Sequence, residues 1–166
     1  MAHIFPAQAR LELIDGKLLE MSPIGPKHIE VVNNLDELLH AALAGQARIS
    51  VQNPVLLSDH DAPQPDVAVL RPAPRPRTRT PQADDVFLLI EVSDFTLPYD
   101  IGTKIPLYSR TGIAEVWVVD VDKEIILQHT DPRGDHYGLT RTLERGYTIT
   151  SAVLPMLALQ VDYILP

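Results

Sequence analysis

The chain has 166 residues, 45% hydrophobic and 22% charged, a balance that fits one compact domain and excludes the polar, highly charged signature of disorder. Without cysteine it can form no disulfide, thiolate zinc site or thiol nucleophile. A formal net charge of −8 opposes loose adsorption to nucleic acid, which needs many phosphates neutralised by Lys and Arg, so any such contact must come from a local patch.

Met1 to Pro6 carry no basic segment followed by an apolar stretch, and no apolar run approaches the ~20 residues that span a bilayer, so a cytoplasmic protein is expected. Residues 10–21 form two short apolar stretches around Asp15-Gly16, a strong two-residue turn signal, and predict an opening β-hairpin. Pro23, Gly25 and Pro26 end it. Ile29, Val32, Leu35, Leu39 and Leu43 then recur at helical spacing as far as Gly45, predicting a helix over about 27–44.

Ile49 to Gln52, Val55 to Leu57 and Val67 to Leu70 read as strands, separated by Pro54 and by the polar stretch Ser58 to Pro65. Residues 71–83 are rich in proline and carry Arg71, Arg75, Arg77 and Arg79, which predicts an extended, exposed loop. Val86 to Val92 is apolar without alternation, as in a strand buried on both faces, and Glu91 interrupts it. A helix is expected from about Lys104 to Arg110, with Thr103 as N-cap, Pro106 in the first turn and Gly112 as the stop. Glu115 to Val121 and Glu124 to His129 read as two strands, and short strands with turns at 132–134 and 145–146 complete the chain. The order of elements predicts an α/β fold with a mixed central sheet flanked by helices, in a single domain over 1–166.

Three positions carry the chemistry: Asp66 after Pro65 at the start of a strand, Glu91 near the end of the buried strand, and Lys104 at the following helix. An ionised carboxylate in an apolar strand costs several kcal/mol unless compensated, and a divalent cation shared by two such groups is one remedy. Neighbouring strands lie about 5 Å apart, close enough for Asp66 and Glu91 to share an ion. With the backbone carbonyl of Val92 and waters they would complete the oxygen shell of Mg²⁺ or Mn²⁺, and an ammonium nearby would steady developing negative charge. Tyr108, one turn beyond Lys104, and Gln52 and Asp100 are supporting candidates. Arg75, Arg77 and Arg79 are a candidate phosphate-gripping arm or, equally, a solvated connection. A purely structural reading makes Asp66 a strand cap, Glu91 an ion-paired strand end and Lys104 a solvated first-turn residue. The six histidines lack the spacing of a zinc helix, and no G-x-S-x-G, G-x-G-x-x-G or P-loop occurs.

Six segments resemble, in order, the Uma-two family of restriction-endonuclease-like proteins in the PD-(D/E)XK superfamily. They are Leu13 to Pro23, His28, Gln64 to Ala68, Leu89 to Asp94, the set Tyr99-Asp100, Lys104, Tyr108 and Gly112, and Glu115 to Asp120. The resemblance implies a restriction-endonuclease-like fold, Asp66 and Glu91 as metal-binding acids, and a DNA phosphodiester as substrate. It departs at Ser93, where the superfamily carries lysine, and implies that Lys104 takes that role from the next helix. Superfamily members often add an acid from the first helix, for which Glu30 is the candidate. A homodimer is expected, two-fold pairing being the commonest assembly. The competing reading is a non-catalytic nucleic-acid-binding or protein-interaction module on the same fold.

Overall fold

The computed structural model describes residues 10–74 and 78–166. Strands β1 (Leu11–Ile14) and β2 (Lys17–Glu20) form the predicted hairpin. Asp15 and Gly16 have φ of 49° and 73°, the pair of positive values that a two-residue turn matching strand twist demands. Helix α1 (Pro26–Ala42) starts on a proline, whose missing N–H has no intrahelical partner in the first turn. It buries Val31, Val32, Leu35 and Leu39, while Ile29, expected on that stripe, is exposed.

Six strands make the central sheet in chain order: β3 (Arg48–Val51), β4 (Val67–Leu70), β5 (Val86–Ser93), β6 (Glu115–Asp120), β7 (Ile125–Arg133) and β8 (His136–Glu144). All neighbours are antiparallel except β5 and β6, which run parallel. A parallel pair needs a crossover, here supplied by α2 (Leu97–Tyr99), a π-helical turn (Asp100–Lys104) and α3 (Ile105–Arg110). A hairpin of β9 (Thr148–Thr150) and β10 (Ala158–Gln160) and the short α4 (Val161–Ile164) close the chain.

Three expectations need correcting. Val55 to Leu57 is not a strand; it makes only an isolated bridge from Leu56 to Gln82, since Pro54 and the turn at 58–61 leave no room for a ladder. Thr103 does not cap a helix, because helical backbone already runs through residues 97–104. The wider π turn relieves the clash of the Pro106 ring with the preceding carbonyls and needs no N–H from it there. Strand β7 continues through Pro132 to Arg133, past the end of its pairing with β6 at Thr130, an edge setting that tolerates a proline.

Alternating side chains of the sheet feed two apolar layers. Val67, Val69, Leu88, Ile90, Trp117 and Val119 pack with α1, β9, β10 and α4. Ala68, Leu70, Leu89, Val116 and Val118 pack with α3 and Ile14 of the hairpin. By that alternation Asp66 and Glu91 belong to the α3 face. At the start of β6, the fully buried Glu115 accepts hydrogen bonds from Trp117 Nε1, Gln128 Nε2, Ser151 Oγ and the N–H groups of Ala152 and Val153, tying the loop at 151–153 to the sheet. No helix among the described residues is long and apolar enough to cross a membrane.

Candidate active site

Strand β4 pairs with β5 at Val67 and Ile90, and the same register carried one residue further sets Asp66 across from Glu91. The Val92 N–H donates to Asp66 Oδ2 at 2.9 Å, the His28 ring reaches Asp66 Oδ1 at 2.9 Å, and Gln52 Nε2 approaches the same oxygen at 3.4 Å. Asp66 is thus a buried carboxylate fixed from three directions. Gln52 holds its place with a left-handed backbone (φ 51°), and its N–H donates to the Asp66 carbonyl at 2.9 Å. Such conformations are costly and persist where the surroundings enforce them.

Glu91 lies on the adjacent strand, 2% exposed. Its Oε1 accepts from the Tyr108 hydroxyl and its Oε2 from Lys104 Nζ at 3.3 Å. Lys104 is equally buried and also contacts Glu12 Oε2 at 3.2 Å and Asp100 Oδ1 at 3.9 Å. Asp100 is pinned by the hydroxyls of Ser93 at 2.7 Å and Thr96 at 2.8 Å, and Glu12 accepts from the Tyr99 hydroxyl at 3.0 Å. One ammonium therefore stands among the buried carboxylates of Glu12, Asp66, Glu91 and Asp100.

That imbalance shows in protonation. Burial pushes the Glu91 carboxyl up to about 8, an effect that Lys104 opposes and Asp100 and Asp66 reinforce. Asp100 is raised in the same way, chiefly by burial. Burial would lower the Lys104 ammonium, but Glu91, Glu12, Asp100 and Asp66 together hold it above its usual value, so it stays charged. Burial, then Glu91, raises Tyr108, which stays a neutral donor.

The donor set fits a hard divalent cation. Strand residues direct N–H and C=O to the same side; the Val92 N–H points at Asp66, and the next carbonyl, of Ser93, turns the other way to Val121. The Val92 carbonyl therefore faces the gap beside Asp66. An ionised carboxylate has about four lone-pair sites, so Asp66 and Glu91 each keep one or more beyond the bonds described. Among the described residues no three His, Cys, Asp or Glu side chains already form a cation cage. An ion here would use two carboxylates, the Val92 carbonyl and several waters, a composition usual for Mg²⁺. A cleft of about 370 Å³ opens over these groups, lined by Asp66, Glu91, Val92, Lys104, His28 and Glu12 among others.

The structure brings Asp66, Glu91, Val92, Lys104, Asp100, Gln52 and Tyr108 together. Glu30 stands on the exposed side of α1 and does not line the cleft; His28, half a turn earlier, does. Arg79 makes a paired contact with Asp85, at 2.7 and 3.0 Å, and Arg75 and Arg77 lie outside the described residues. Glu12 and His28 are site residues that the sequence alone does not single out by role. The available signal for Glu12 was its parity with Ile14 two residues on, which puts both on the inward side of β1.

The family model described as "Putative restriction endonuclease", Uma2, matches residues 1–162. The chain belongs to the Uma2 family. This Uma2 chain also resembles the crystal structure of a "putative nuclease belonging to DUF820" from Anabaena variabilis ATCC 29413, with TM-score 0.72 and 16% identity over 93% of this chain and 88% of that one. At that identity the likeness establishes a shared fold, the restriction-endonuclease-like arrangement expected from the sequence. No curated protein matches the chain.

Proposed function

We propose that this Uma2 protein is a metal-dependent endonuclease that hydrolyses DNA phosphodiester bonds in the cleft over Asp66 and Glu91. The observation that carries the reading is Lys104, buried and charged among four carboxylates at the open end of β4 and β5. A purely structural lysine gains little from such burial, since desolvating ion pairs rarely stabilises a fold. Asp66, Glu91 and the Val92 carbonyl hold Mg²⁺ or Mn²⁺, which when bound supplies Lewis acidity toward a phosphate oxygen and an activated water.

The chain's own groups do the rest. His28, Gln52 and the Val92 N–H fix Asp66, and Tyr108 fixes Glu91, so neither carboxylate must reorganise as charge develops. Glu12 and Asp100 hold Lys104 with its ammonium toward Glu91, where it orients the nucleophile or balances charge on the non-bridging oxygens.

Cleavage of plasmid and single-stranded DNA with Mg²⁺ or Mn²⁺ tests the reading, comparing the parent with Asp66→Ala, Glu91→Ala and Lys104→Ala. The parent should cut and the variants should not. Equal cutting by all four proteins would place the activity elsewhere. No cutting and no cation binding by a folded parent would favour a non-catalytic binding module.

A further inference from the structure

Two loops wall the cleft, residues 21–25 between β2 and α1 and residues 94–96 between β5 and α2. They approach so closely that a Cβ on Gly25 would meet Asp94 Oδ2 at 3.0 Å. Two side chains at this mouth take no part in the acid cluster. Phe95 is 86% exposed, the most of any large apolar side chain among the described residues, and lines the cleft with Leu19, Met21 and Ile24. Arg10 also lines the cleft; its Nη2 is buried without a hydrogen-bond partner.

A lone exposed aromatic is ordinary on a protein surface. The setting of Phe95 is not, four residues after Glu91 and sharing one cleft with a spare guanidinium donor. An aromatic face accepts a nucleobase only when that base has left its stack, and a guanidinium matches phosphate oxygens. The net charge of −8 limits what phosphate neutralisation can contribute, whereas stacking needs no excess of positive charge.

Building on the nuclease reading, we propose that the cleft engages a nucleic-acid strand through an unpaired nucleotide, with Phe95 stacking on its base and Arg10 holding an adjacent phosphate. The preferred substrates are then single strands, flaps or frayed ends, because every base inside a continuous duplex is already stacked on its neighbours.

The test is binding of fluorescent oligonucleotides, single-stranded and blunt duplex, in EDTA and in Ca²⁺, with 2-aminopurine or an abasic site placed along the single strand. The parent should favour the single strand and quench 2-aminopurine at one position. Stacking of one base corresponds to roughly 5- to 150-fold in affinity, so Phe95→Ala should weaken single-strand binding about ten-fold, abolish the quenching and become indifferent to the abasic site. Phe95→Trp should restore all three. Arg10→Gln should weaken intact and abasic strands alike. Phe95 packs against little, so its variants should keep the parent's thermal melt.

Unchanged binding by Phe95→Ala, an equal loss on duplex and single strand, or no binding of either form by the parent overturns the inference; the last result would point to a protein at this mouth. A parent that stacks bases but never cuts with Mg²⁺ or Mn²⁺ leaves the inference standing and overturns the nuclease reading. A parent that cuts both DNA forms, with Phe95→Ala unchanged in binding, does the reverse.

Discussion

Glu91 ties the electrostatics of the cluster to a measurable property of the whole protein. Its carboxyl is pushed from the ordinary value of 4.5 up to about 8, first by burial. Between those two values the folded protein holds a proton that the unfolded chain has released, so stability falls as pH rises through this window. One group contributes at most ~1.4 kcal/mol per pH unit, giving a loss on the order of 5 kcal/mol across the window. Asp100, also raised, acts in the same sense. His129, lowered from 6.5 to about 4 by burial, acts in the opposite sense, adding stability as pH rises between those values. The raw profile is therefore composite, and the difference between the parent and Glu91→Gln isolates Glu91, because the amide keeps the shape and cannot ionise. Urea denaturation in EDTA at pH 5 and pH 8 should show the parent losing several kcal/mol relative to the variant. Millimolar Mg²⁺ should recover much of that loss in the parent at pH 8 and little at pH 5, where protons compete for the same carboxylate. Parallel pH profiles for the two proteins in EDTA would refute this account of the cluster.

Other outcomes follow from the same geometry. Lys104→Met removes the ammonium from among Glu12, Glu91 and Asp100; cleavage should drop by ~100-fold or more, and stability at pH 8 by ~3–5 kcal/mol, the usual penalty for breaking a buried pair. A rate within a few-fold of the parent's would remove Lys104 from the mechanism. Glu115→Ala removes the shared acceptor of five donors away from the cleft, three of them buried, and should cost roughly 3–5 kcal/mol in urea denaturation, while the rate of the protein that remains folded stays at the parental level. Neutralising Arg75, Arg77 and Arg79 together should flatten the salt dependence of single-strand binding by about 0.7 per lost phosphate contact. An unchanged slope would mean that the proline-rich loop does not grip the strand.

Local signals carried much of the fold. Asp15-Gly16 announced the hairpin because few residue pairs accept two positive φ values, and the unbroken apolar run of β5 announced a strand covered on both faces. The sequence shows no helix before about Lys104, because Pro106 argues against an earlier start. The chain is helical from Leu97, with Asp100 held by the Thr96 hydroxyl and the Lys104 ammonium, each four residues away, and by the Ser93 hydroxyl at the end of β5. The cluster was legible where an acid stood out against apolar neighbours, as at Glu91. At Glu12 the parity with Ile14 marks only the inward side of β1, because the groups that contact its carboxylate, at residues 64, 99 and 104, lie far along the chain. His28 had the same difficulty: its partner lies 38 residues away on another element.

A cation held between β4 and β5 is the centre of the proposed site. Crystals grown with Mn²⁺ and measured at its absorption edge should give one anomalous peak within coordination distance of an Asp66 carboxylate oxygen, a Glu91 carboxylate oxygen and the Val92 carbonyl, and Asp66→Asn should remove it. No peak in the cleft at millimolar Mn²⁺, with Lys104 still bonded to Glu91, would contradict this placement.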